Sequence, residues 1–154
     1  MNKIKINETI SNSVEETEII AKKWLEEVSK KYLSNKEATI IGLSGNLGAG
    51  KTAFVKAVAR ALNIEETVTS PTFVIMKIYE VGHSVAENRE ETVGRKKWKR
   101  LVHIDLYRLE KKEELKALNL EGVVNDSSNL VMIEWPENVS FETDEVIKFE
   151  ALIE

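Results

Sequence analysis

Eight consecutive residues carry the sharpest chemical signal in the chain: Gly45, Asn46, Leu47, Gly48, Ala49, Gly50, Lys51 and Thr52. They match G-x-x-x-x-G-K-[ST] at every fixed position. The glycines permit backbone angles that other residues resist, so successive N–H groups can turn inward toward one anion. A helix opening at Lys51, with Ala53 in its first turn, adds unpaired N–H groups and a positive dipole end. The Lys51 ammonium can reach β- and γ-phosphates. The Thr52 hydroxyl suits Mg²⁺, a hard cation that favours oxygen. The chemistry implied is the grip of a nucleotide's phosphates.

Such a loop needs a further acid, normally at the end of an apolar strand. Glu134 closes Leu130-Val131-Met132-Ile133, and Asp105 sits in His103-Ile104-Asp105-Leu106-Tyr107. Side-chain alternation along a strand places His103, Asp105 and Tyr107 on one face. Either acid, at the carboxyl edge of the sheet that carries the loop, can reach the metal or its waters. Thr69-Ser70-Pro71-Thr72 is hydroxyl-rich and stiffened by proline. After the loop's helix it could sense a γ-phosphate as switch loops do, although the same residues make an ordinary turn.

The elements that must position these groups are legible from periodicity. Residues 38–44, ATIIGLS, read as a strand buried on both faces, as in a parallel sheet. Residues 51–62 show helical spacing through Phe54, Val58 and Leu62, so the order is strand, glycine loop, helix. Upstream, Ile20, Trp24, Val28 and Tyr32 mark a packing helix over 14–33, with Ser13 as N-cap and Glu16 completing a capping box. Further strands are expected at 72–80, 101–107, 129–135 and 145–153, and a short helix at 111–118. The expectation is an α/β fold of the P-loop NTPase type, a mixed, largely parallel sheet in three α/β/α layers. No linker divides residues 1–154, so one domain is expected.

Composition narrows the class. Hydrophobic residues are 42% and charged residues 31%, which excludes a collagen or a disordered tail. No apolar run approaches the roughly 20 residues that span a bilayer, and the first residues lack the apolar core of a secretion signal. Cysteine is absent, which removes disulfides and thiolate chemistry. A cytoplasmic location without a membrane fits. The net charge of −4 hides a cluster, Arg95, Lys96, Lys97, Lys99 and Arg100, without which the chain stands at −9. An acidic body does not make a general nucleic-acid binder. The cluster surrounds Trp98 in a polar stretch, 81–100, and reads either as a solvated loop or as a contact for tRNA or a partner.

The strings SGNLGAGKTAFVKAVARAL, SPTF, HIDLYRL followed by EEL, and IEWPE, in that order, resemble the bacterial TsaE (YjeE) family over about residues 13–139. The resemblance implies a P-loop ATPase needed for threonylcarbamoyladenosine (t6A) modification of tRNA. It implies ATP on Gly45 to Thr52, with Thr52 on Mg²⁺. Ser70 and Thr72 would form a switch-like loop, Asp105 would be needed for hydrolysis, and Glu134 would complete the Mg²⁺ site. Trp135 would pack by the adenine, and Ser11 to Ser13 would line the same side. The implied partners are TsaB and TsaD, with tRNA met only through that complex, which ATP binding and hydrolysis would drive or reset. Against the family, 81–100 reads as an insertion and the last strand as missing.

On these grounds Asp105 is favoured for orienting water and Glu134 for the metal shell, although they could exchange. Slow intrinsic turnover is expected, since no arginine finger is evident. A guanine-reading N-K-x-D is absent, because Asn35-Lys36-Glu37-Ala38 lacks the acid. A small-molecule P-loop kinase and a non-catalytic nucleotide-gated binding module are the alternatives. No arginine-rich lid supports the kinase, and Arg108 alone could stabilise charge.

Overall fold

The computed structural model describes residues 8–70, 75–82 and 97–151. Helix α1, Val14–Lys31, begins where Ser13 Oγ accepts the Glu16 N–H at 3.1 Å. The Glu16 carboxylate reaches back to the N–H of Asn12 at 2.6 Å, one residue earlier than a capping box requires. Its buried stripe runs through Ala21, Leu25 and Val28, with Ile20, Trp24 and Tyr32 flanking it.

The strands are β1 Thr39–Ser44, β2 Met76–Glu80, β3 Arg100–Asp105, β4 Asn129–Glu134 and β5 Glu145–Lys148. They lie in the order β2-β3-β4-β1-β5, all parallel except β2, which runs against β3. Helix α2, Lys51–Ala61, packs with α1 over one face, on Leu43, Leu101 and Met132. The other face, Ile40, Val102, Ile104, Val131 and Ile133, is covered by short pieces. These are the 3₁₀ turns Lys112–Leu118 and Pro136–Val139 and a four-residue helix α3, Glu121–Val124. The sheet is therefore mixed, mostly parallel and flanked on both sides, as the P-loop architecture requires.

Several local expectations are corrected. The 111–118 segment winds as 3₁₀ rather than α, because none of its residues is buried and no apolar stripe holds it to the wider helix. The strand expected over 101–107 stops at Asp105, whose Oδ1 accepts the Tyr107 N–H at 2.9 Å in an Asx turn. Tyr107 thus leaves the strand face shared by His103 and Asp105 and is 44% exposed. β4 ends before Trp135, and β5 ends at Lys148. Trp98 is fully buried, so its ring cannot serve as a stacking platform for a nucleobase. Lys97 is bound to the Leu33 and Asn35 carbonyls after α1, and Arg100 to Asp126 and Asn129. Arg95, Lys96 and Thr72 lie outside the described residues.

β5 is tied to α1 by one polar cluster. Glu145 Oε2 accepts from Lys31 Nζ at 2.8 Å and from the Tyr32 hydroxyl at 2.6 Å. Partial burial pushes the Glu145 carboxyl up, but the bonds from Lys31 and Tyr32 together outweigh it and hold the group below the usual carboxylate range. Burial, then the carboxylate, pushes the Tyr32 phenol up to about 12. A depressed carboxylate stabilises the fold above its unfolded pKa, and that gain is lost as pH falls through the lower folded value. Glu145→Gln should therefore cost at most about 1 kcal/mol at neutral pH, since Lys31 is largely solvated. The difference should vanish in acid well below the usual carboxylate range. Urea unfolding of both proteins at the two pH values checks this; a gap that persists in acid overturns it.

Candidate nucleotide site

The loop between β1 and α2 owes its shape to two glycines. Gly45 has φ +147°, and a Cβ there would collide with the Phe149 carbonyl oxygen. Gly50, at φ +111°, caps α2 without any side-chain hydrogen bond, and no acid occupies that helix's first turn. The N-terminal N–H groups of α2 and their positive dipole end are thus left for an external anion.

Lys51 is buried, 4% exposed. Its ammonium donates to the Gly45 and Asn46 carbonyls, the latter at 2.9 Å, and lies 4.3 Å from the centroid of the Trp135 ring. Among the described residues no carboxylate comes within ion-pair distance of it. A buried cation held only by neutral dipoles and a ring face is a site short of an anion.

The next residue on α2 meets the sheet. Thr52 Oγ1 lies 3.0 and 3.2 Å from the two oxygens of Glu134, the last residue of β4. Glu134 is itself buried, and its Oε2 is 2.7 Å from His103 Nε2 on β3. Asp105, also buried, pairs in register with Glu134 across β3 and β4, strands roughly 4.8 Å apart. Both acids therefore stand at the carboxyl edge of the sheet, beside the loop.

Trp135 follows with φ +62°, a left-handed conformation that is costly for a bulky residue and worse before proline. Its N–H donates to the Leu43 carbonyl at 3.1 Å, and its own carbonyl accepts from the Asn138 N–H at 3.2 Å. Its ring packs against Tyr107 at 5.2 Å, and Asn138 Nδ2 holds the Leu106 and Tyr107 carbonyls. This ring, which the resemblance implies beside the adenine, lies at the Lys51 end of the loop. A recess of about 220 Å³ opens elsewhere, lined by Ser11, Ser13, Thr17, Ala53, Ala57 and Arg60.

The fold thus brings together Lys51, Thr52, Asp105, Glu134 and Trp135 around the loop. Asn46, Leu47 and Gly48 are exposed at its outer turn, with Ala49 half-buried. Ser70 is exposed and Thr72 is not among the described residues. Asp105 is also tied to the residue that leads into β2. Ile75, at φ +67°, accepts the Asp105 N–H on its carbonyl at 2.8 Å. The contact of His103 with Glu134 and the Asn138 brace are functional geometry that the sequence reading did not assign. Only the placing of His103 on the Asp105 face pointed toward it.

The donors fit Mg²⁺. No group of three or more His, Cys, Asp or Glu side chains among the described residues forms an all-protein metal cage. A hydroxyl and one carboxylate are the usual share of a protein that holds Mg²⁺ jointly with phosphates and water. The Thr52 hydrogen is committed to Glu134, which leaves oxygen lone pairs for a cation.

Comparison with known proteins agrees with the fold and places the chain in a family. The sequence model "Threonylcarbamoyl adenosine biosynthesis protein TsaE" matches residues 11–153. A tRNA threonylcarbamoyladenosine biosynthesis protein TsaE from Rickettsia bellii is 34% identical over 132 residues, 85% of this chain and 75% of that protein. Its namesake from a Nostoc species is 33% identical over 135 residues, 76% of this chain and 74% of that protein. The crystal structure of YdiB from Bacillus subtilis superposes with a TM-score of 0.56 at 28% identity, covering 92% of this chain and 76% of that one.

Gly45 and Gly48, two of the three loop glycines, should respond differently to a methyl group. Gly45→Ala combines a glycine-only backbone angle with the Phe149 collision and should cost about 3 kcal/mol or more. Gly48→Ala meets nothing within 4 Å. It should cost only about 1 kcal/mol, for its φ of +78°. Chemical denaturation measures both, and equal losses would contradict the packing described.

Proposed function

Because the chain belongs to the TsaE family of threonylcarbamoyl adenosine biosynthesis proteins, we propose that it is a Mg²⁺-dependent ATPase subunit acting in t6A modification of tRNA. ATP binding and hydrolysis by this subunit drive or reset a complex with TsaB and TsaD homologues, and tRNA is met through that complex in the cytoplasm. The observation that carries the reading is the buried Lys51 ammonium, which has neutral partners and no carboxylate, at the mouth of a glycine loop.

On this reading the backbone N–H groups of residues 45–52 and the first turn of α2 hold the β-phosphate. Lys51 swings from the Gly45 and Asn46 carbonyls onto the β- and γ-oxygens. Thr52 and Glu134 hold Mg²⁺, Glu134 directly or through water. When bound, that ion neutralises charge on the phosphate oxygens. Asp105 orients a water whose oxygen bonds to the γ-phosphorus as the bridge to the β-phosphate breaks, releasing ADP and phosphate. Asp105 and Glu134 can exchange these two roles. Ser70 and Thr72 belong to the switch-like segment near the γ-phosphate. The recess at Ser11, Ser13 and Ala53 suits the base side of the nucleotide, and Trp135 caps the phosphate end. Intrinsic turnover is slow, with partners completing the site.

Phosphate release from ATP without any acceptor, with TsaB, TsaD and tRNA present, tests the reading against a kinase. Lys51→Ala should lower it at least a hundredfold, roughly the effect of losing a preorganised transition-state donor. Wild-type turnover in that variant would end the proposal. Trp135→Phe should remove most of the nucleotide-induced fluorescence change, because Trp98 is sealed in the core and only Trp135 touches Lys51. A signal that survives the substitution would assign it to Trp24.

A further inference from the structure

One donor to Glu134 is given no task by the reading above. His103 is fully buried, and its Nε2 lies 2.7 Å from Glu134 Oε2. An ionised carboxylate only accepts, so Nε2 carries the hydrogen. Nδ1, buried too, has no hydrogen-bond partner among the described residues. The imidazole is therefore held by a single polar contact, and that contact is to Glu134. Packing alone does not call for histidine between Leu101 and Asp105. An apolar side chain would fill the place without an orphaned nitrogen. The same Oε2 lies 3.0 Å from Thr52 Oγ1. One oxygen is thus fixed from β3 by the imidazole and from α2 by the hydroxyl.

We infer that His103 is a positioning residue for the Mg²⁺ shell. By donating Nε2–H to Oε2 it sets the plane of the Glu134 carboxylate. That keeps the Thr52 hydrogen pointed at Glu134 and the Thr52 lone pairs free for the cation. The inference rests on the role proposed above for Glu134. It concerns the hydrogen bond of a neutral or charged imidazole alike.

The test measures ADP binding to the full chain, by calorimetry, in EDTA and in excess Mg²⁺. The quantity read is the factor by which Mg²⁺ tightens ADP. His103→Leu should cut that factor about 10- to 100-fold, the usual effect of losing a group that orients a metal ligand. Affinity in EDTA should stay within about twofold of wild type, because Lys51 and the backbone N–H groups supply it. His103→Gln carries an amide nitrogen at the depth of Nε2 and should restore most of the factor. His103→Asn carries its nitrogen at the depth of Nδ1 and should not. The Gln and Asn pair decides the matter even if the Leu variant fails to fold. A wild-type Mg²⁺ factor in the Asn variant overturns the inference, as does Gln performing no better than Asn. An equal loss in EDTA and in Mg²⁺ also overturns it, since that is general damage. Glu134→Gln separates this from the wider reading. If Glu134→Gln keeps the wild-type Mg²⁺ factor, the metal-shell reading falls and the positioning role falls with it. If it loses the factor while the His103 variants keep it, only the positioning role falls.

Discussion

A buried ammonium with no counter-ion among the described residues governs this structure. Lys51 sits in the interior of the loop, and its contacts are two main-chain carbonyls and the face of an indole. Dipoles and a ring quadrupole soften the cost of burial but do not cancel a unit charge. The helix behind it adds to the deficit, because α2 has no side-chain cap and no acid in its first turn. Lys51 and the start of α2 therefore share the same sign of unmet demand. An anion with several oxygens answers all of it at once. The three positive-φ glycines matter because they let the backbone curl tightly enough for this demand to converge.

The acids are kept away from that cation and aimed at its neighbour. In-register pairing sets Asp105 beside Glu134 at the ends of β3 and β4, and Glu134 turns toward Thr52 rather than Lys51. Had either carboxylate paired with Lys51, the ammonium would be satisfied and the loop would have little use for a phosphate. The two strained residues of the region lie on the same rim. Trp135 and Ile75 both have positive φ, and each makes a backbone hydrogen bond to a strand that carries the site. Strain of this kind persists only where the surrounding structure over-determines it, and it gathers at functional positions.

Legibility in the sequence followed the physics of each part. The loop was readable because nearly every position in it answers a separate local demand. The sheet was readable because β1, β3 and β4 are buried on both faces and spell continuous apolar runs. The 3₁₀ form of 112–118 was not, since it reflects partial contact with the core through half-buried Leu115 rather than any residue's preference. Trp98 looked like a surface aromatic because its neighbours are basic, yet those neighbours reach outward while the ring goes into the core. The Trp135 conformation and the bond from His103 to Glu134 depend on side chains meeting across strands. Spacing along one strand does not encode such meetings.

The loop is also shaped from a direction its own residues do not reveal. β5 adds beside β1, and the Phe149 N–H just beyond it donates to the Ser44 carbonyl at 2.8 Å. This brings the Phe149 carbonyl against Gly45, where a side chain would collide, and sets the Phe149 ring on Phe54 of α2 at 5.6 Å. Phe54 in turn meets Trp24 of α1 at 5.2 Å, and the Lys31–Glu145 pair fastens the other end of β5 to the same helix. The requirement for glycine at position 45 thus comes from two sources. The loop's own turn needs a positive φ there, and a strand a hundred residues later needs the space. A lesion in β5 would reach the glycine loop through this wall, without touching any of the loop's own residues.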